Sequence, residues 1–123
     1  MVKELIKYVN DFLKKPEFFF EGLYDYGVFR KEEFHRYTKT VYELSKSELS
    51  IEERNKLIPV IWEISFEIQK HLMHHLDSDD VAEIENLEED DIRQISNIIY
   101  YTANWFSYGK EIDEYSLRIG SWA

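Results

Sequence analysis

The stretch SIEERNKLIPVIWEISFEIQKHLMHHL, residues 50–76, decides the fold. Ser50 followed three positions later by Glu53 is capping-box spacing, in which each side chain serves the other residue's backbone N–H at a helix start. Beyond it, Ile61, Ile64, Ile68 and Leu72 recur at threes and fours, so they share one face of a long helix running toward Leu76. Trp62, Phe66 and Met73 form a second stripe. A helix apolar on two sides is expected at the centre of a bundle, covered from both. Pro59 lies inside the pattern and lacks the N–H a helix uses, so a kink or division is expected there.

The same rhythm extends in both directions. Val2, Leu5, Ile6, Val9, Phe12 and Leu13 describe an amphipathic helix ending before Pro16. Phe34, Tyr37, Val41 and Leu44 describe another over roughly 31 to 47. Ile92, Ile95, Ile99, Ala103 and Phe106 face inward on a last helix, with Ile98 and Trp105 at its edge. Asp90 or Asp91 can cap its start, and Gly109 stops it. Periodicity leaves residues 16–30 open. Pro16 can begin a short helix there, Gly22 and Gly27 interrupt or end it, and the phenylalanines at 18–20 are too apolar to be fully exposed. The tail after Gly109 has too few residues for another full element, but Leu117, Ile119 and Trp122 should dock it on the core. With 123 residues, 44% hydrophobic content, four Gly and two Pro, the expectation is one all-α domain over 1–123. Its architecture is a helical bundle of about four to six helices with a docked C-terminal tail.

Charge divides the chain unevenly. Residues 1–60 hold 11 acids and 11 bases, whereas residues 61–123 hold 14 acids and 4 bases, the whole net charge of −10. Nine of those acids fall in DSDDVAEIENLEEDD, residues 77–91, where Val81, Ile84 and Leu87 recur every third residue and can pin a short helix or loop. Like charge repels nucleic acid and anionic membranes at long range, so neither is an expected partner and a basic protein is. The absence of Cys removes disulfides, thiol catalysis and thiolate metal sites. The charged N-terminus, MVKELIKYVNDFLKK, does not read as a signal peptide, and no segment approaches the ~20 apolar residues that cross a bilayer. A cytoplasmic protein is expected.

Three constellations bear on chemistry. Glu67, His71 and His75 are spaced one helical turn apart, as two imidazoles and a carboxylate on one metal would be. The sequence identifies no further ligand, and boundary histidines bonded within the bundle are the simpler expectation, so no metal and no cofactor is assigned. Asp77, Asp79 and Glu88 fit three positions of a calcium loop, but Val81 occupies a liganding position and Ala82 stands where the turn requires Gly. Arg30 and His35, in RKEEFH, resemble the R-x4-6-H motif of the HEPN ribonucleases, which are also all-helical. The chain departs from that family in Lys31 after the Arg and in carrying the motif early. A HEPN-like ribonuclease or a His-ligated metal protein is the alternative reading.

A recognition surface fits better. Arg93, Asn97, Tyr100, Tyr101, Asn104 and Tyr108 project away from the isoleucine stripe, where Lys and Glu usually dominate. Tyrosines supply contact area at low entropic cost. They could instead pack beneath the tail or the 18–29 segment. The candidate partner-binding residues are Asp79, Asp80, Glu83, Glu85, Glu88, Glu89, Asp90 and Asp91 in the acidic run, with Asn97, Tyr100, Tyr101, Asn104 and Tyr108 on the helix. In its size, acidic run and Tyr/Asn face the chain resembles the immunity proteins (antitoxins) of bacterial polymorphic and contact-dependent inhibition systems. That resemblance implies a small cytoplasmic, non-enzymatic inhibitor that neutralises a cognate toxin, often a basic nuclease.

Overall fold

The capping box forms as its spacing predicts. The Glu53 carboxylate accepts the Ser50 N–H at 3.0 Å, and the Ser50 hydroxyl accepts the Glu53 N–H at 3.0 Å. The computed structural model describes residues 1–76, 84, 86–110, 112 and 117, the side chains of 75 and 76 excepted. Among these residues the secondary structure is entirely helical, as the periodicity requires. The helices are α1 (Val2–Lys14), α2 (Lys31–Lys46), α3 (Ile51–Leu76) and α4 (Glu89–Ser107), with a five-residue π-helical turn at Gly22–Tyr26 between the first two.

The helices neighbour one another in the cycle α1–α2–α4–α3, so the core lies between four walls. Val9 and Phe12 from α1, Phe34, Tyr37, Val41 and Leu44 from α2, the Ile61 stripe of α3 and the Ile92 stripe of α4 are buried in it. Pro59 does not divide α3, which runs unbroken to Leu76. The reason is position. Pro59 and Asn55 are both exposed, so the Asn55 carbonyl that loses its donor faces solvent.

Two expectations are corrected here. The Trp62, Phe66 and Met73 stripe is not covered: α3 packs through its isoleucine stripe, and these three side chains are exposed. The cap of α4 is Glu88 and neither Asp90 nor Asp91. Asp91 is the third helical residue, and its carboxylate accepts the Glu88 N–H at 3.1 Å.

Residues 16–30 wrap the end of the core. Phe19 and Phe20 are buried, and Phe18 stacks on Tyr8 of α1 at 6.1 Å. A Cβ at Gly22 would meet the Val28 carbonyl at 2.7 Å, and Gly27 takes the left-handed φ of 62°, so glycine is required at both ends of the π turn. Arg30 braces the segment by donating to the Glu17 carbonyl at 2.5 Å and pairing with Glu21 at 3.3 Å.

The segment is tied to the far side of the chain by one amide. The Asn86 carboxamide accepts the Phe29 N–H at 2.8 Å and donates to the Phe29 carbonyl at 2.8 Å, as a neighbouring strand would. Ile84 and Leu87 are buried beside it. The C-terminal end of the acidic run is therefore pinned, as the spacing predicts, while Val81 lies outside the described residues. Asn86→Ala leaves both backbone groups of Phe29 without these partners and is expected to cost about 1–3 kcal/mol in denaturant unfolding. An unchanged midpoint would mean that solvent replaces the amide fully. Ile112 and Leu117 of the tail are buried, whereas Ile119 and Trp122 lie outside the described residues.

Candidate functional site

Helices α3 and α4 are antiparallel. The Arg54 guanidinium donates to the Phe106 carbonyl and lies over the Phe106 ring at 4.9 Å. The Trp62 indole donates to the Ser107 hydroxyl at 2.6 Å, and the buried Ser65 hydroxyl donates to the Ile99 carbonyl at 3.3 Å. Serines at 65 and 96 are small where the helices face each other, so the bulky residues on either side become lips rather than plugs. The result is a groove of about 270 Å³ lined by Trp62, Ser65, Phe66, Gln69, Ser96, Ile99 and Tyr100. Its lips are open: Phe66 is 68% exposed, Tyr100 55% and Trp62 39%. A smaller depression of about 180 Å³ shares Phe66 and Gln69 with it and extends along α3 toward Met73 and His74, with no α4 residue in its lining.

The Tyr/Asn face stands beside this groove. Tyr100, Tyr101, Tyr108 and Asn97 are exposed and Asn104 is half-buried, so the tyrosines are not buried beneath the other described residues. Tyr101 stacks on Trp105 at 5.5 Å and meets Tyr100 edge-on at 5.8 Å, which makes a continuous aromatic ledge along α4. Glu88, Glu89 and Asp90 are exposed at the N-terminal end of α4, ten or more residues before Tyr100, and Asp90 pairs with Arg93 at 3.4 Å. Asp91 is a correction. Its carboxylate is buried in the capping of α4, so it is unavailable to a partner. Asp79, Asp80, Glu83 and Glu85 lie outside the described residues.

Sequence reasoning missed the α3 half of this surface. Trp62, Phe66 and Met73 were visible as a stripe, but periodicity cannot tell a stripe that a neighbour covers from one left open. The small residues Ser65 and Ser96, one on each helix and both lining the groove, are the signal that the helices do not close over it.

The histidines have a different setting. His71 lies edge-on against Tyr24 at 4.4 Å, and the Tyr24 hydroxyl donates to Glu67 at 2.9 Å. Burial, then the bond to Glu67, pushes the Tyr24 hydroxyl up to about 12. The His71 Nε2 is enclosed with no hydrogen-bond partner among the described residues. Burial pulls its pKa below the ordinary 6.5, with Lys70 and His74 acting in the same direction against Glu67. Among the described residues no group of three or more His, Asp or Glu is placed to hold a metal; His74 is exposed, and the His75 side chain lies outside them. Because the folded state resists charging His71, the unfolded chain takes up the extra proton first as pH falls below 6.5. Stability from this site is intact above that value and lost as pH falls from it through the lower folded pKa. Unfolding midpoints are expected to fall between neutral and mildly acid pH, less steeply in His71→Asn. An equal slope in that variant would assign the effect to His35, which burial also shifts downward.

The Arg30 guanidinium is engaged within the 16–30 segment, and His35 is half-buried at the start of α2. No helix among the described residues is long and apolar enough to cross a membrane. Compared with known proteins, the chain significantly matches no family model, no curated protein and no solved structure.

Proposed function

We propose that this chain is a non-enzymatic recognition protein that captures a basic protein, acting as an immunity protein or antitoxin toward a toxin domain such as a nuclease. The observation that carries the reading is the exposed aromatic surface shared by α3 and α4, on a helix whose N-terminal end exposes the carboxylates Glu88, Glu89 and Asp90. Solvation alone would favour Lys and Glu at such positions. Large rings left in water are retained more readily where they meet another surface, because their burial on association is favourable.

The two halves of the surface do different work. Carboxylates at the head of α4, in the half of the chain that carries the whole net charge of −10, accelerate encounter with a basic protein and orient it. The aromatic ledge sets how long the complex lasts. A nuclease suits this arrangement because a surface that binds phosphates is basic and accepts carboxylates in their place. The test is co-expression in bacteria with the C-terminal domain encoded by the adjacent gene. Growth restored by this chain supports the reading, and toxicity undiminished by it, or an adjacent product without toxicity, contradicts it.

A further inference from the structure

The geometry points to the α3/α4 groove as the seat of a cationic amphipathic helix, whose apolar side chains enter between Trp62, Phe66, Ser96 and Tyr100 while its Lys or Arg flank meets the carboxylates of α4. This deepens the proposal above and rests on its basic partner.

Exposure argues against the commonest alternative. At about 270 Å³ the groove is at the small end of small-molecule sites, ~300–1,000 Å³, and lips as exposed as Phe66 and Tyr100 do not enclose a ligand as those sites do. Side chains presented by a larger body fit it better. Length then sets the shape of that body. The α3 lip of the groove runs from Trp62 to Gln69, seven residues and about 10 Å at 1.5 Å per residue, which is about two turns of an incoming helix. Anchors at i, i+4 and i+7 would follow it. An extended strand has nothing to pair with here, because both walls are helices whose backbone groups are bonded internally.

Charge chooses the sign. Of the six carboxylates in residues 61–76 and 88–107, Asp91 is buried in the cap of α4 and Glu67 accepts from Tyr24, which leaves Glu63, Glu88, Glu89 and Asp90 exposed against Lys70 and Arg93, the latter paired with Asp90 at 3.4 Å. Lys70 stands on the α3 lip near Met73, so the cationic flank belongs over α4, where Glu89 and Asp90 are exposed. A second copy of this chain, with the same carboxylates on this face and a net charge of −10 overall, is repelled.

The test is a nuclear magnetic resonance titration of the full chain with three synthetic peptides. One is a Leu/Lys helix patterned at i, i+3, i+4 and i+7, the second a scramble of the same composition, and the third a Leu/Glu helix with the first pattern. The patterned Leu/Lys helix is expected to move the Trp62 indole N–H and the Ser96 and Ile99 amides saturably. Its Kd should rise at least tenfold on scrambling or in Phe66→Ser, a replacement at an exposed position that leaves the melting temperature in place. Equal binding of the scramble, an unchanged Kd in Phe66→Ser, or no movement of Trp62 overturns the groove as a helix seat while leaving a basic partner in force. Equal binding of the Leu/Glu helix overturns the sign, and the basic partner with it.

Discussion

Phe12→Ala is expected to lower the unfolding free energy by about 3–5 kcal/mol, the cost of emptying a large aromatic site in a packed core. The ring is fully buried and holds three parts of the chain together. It stacks on Tyr37 of α2 at 4.6 Å and on Phe19 at 5.2 Å, and it meets Phe20 edge-on at 5.6 Å. Phe19 continues the contact to Phe29 at 5.0 Å, and Phe29 to Phe34 at 5.2 Å. Removing Phe12 therefore loosens α1, the 16–30 segment and α2 at once. Small domains are stable by about 5–15 kcal/mol in total, so the variant should unfold at much lower denaturant or fail to fold at 37 °C. Phe12→Leu keeps most of the volume and should cost far less. A loss below about 1 kcal/mol in Phe12→Ala would mean that the aromatic cluster is not the unit that closes this end of the bundle.

The combined change Tyr100→Ala and Tyr101→Ala is expected to weaken capture of the cognate partner by about 2 kcal/mol or more, roughly thirtyfold in Kd. Both rings are largely in water, at 55% and 40% exposure, so little packing is lost in the free protein. The Tyr101 contact with Trp105 is the main internal one, and Trp105 itself stays half-buried against the core. Melting temperature should therefore hold while affinity falls, chiefly through faster dissociation. Phenylalanine at both positions should retain most of the affinity if contact area carries it, and little if the hydroxyls do. A double alanine variant that binds as tightly as the parent would remove the ledge from the binding surface.

Local pattern made much of this fold legible, and the failures have a common cause. The capping box at Ser50 and Glu53, the break before Pro16 and the buried stripes of α3 and α4 depend on residues close in sequence, and each is found. Pro59 was misleading because its cost depends on whether Asn55 faces solvent, a tertiary fact. The cap of α4 lies two or three residues upstream of the expected Asp90 or Asp91, since Asp91 serves as well at the third helical position as at the cap. For the candidate site, the exposure of Tyr100, Tyr101 and Tyr108 followed from the helical wheel. Trp62 and Phe66 did not, because only the arrangement of the other helices decides which of two apolar stripes is covered. The Asn86 tie to Phe29 spans 57 residues and left no local pattern to read.

The central claim is that the acidic head of α4 attracts a basic partner, and charge reversal at matched sites tests it most directly. Glu89→Lys with Asp90→Lys alters two exposed carboxylates on the helix that carries the aromatic ledge. Glu48→Lys with Glu52→Lys makes the same change in net charge on exposed positions near the start of α3, and leaves Glu53 in its capping box. The measurement is the association rate and Kd of each variant with the toxin domain, from low to high salt. The predicted result is that the α4 pair loses at least tenfold in affinity, about 1.4 kcal/mol, mostly in association rate, and that high salt erases the difference. Equal losses in the two pairs, or an affinity indifferent to salt, would contradict it.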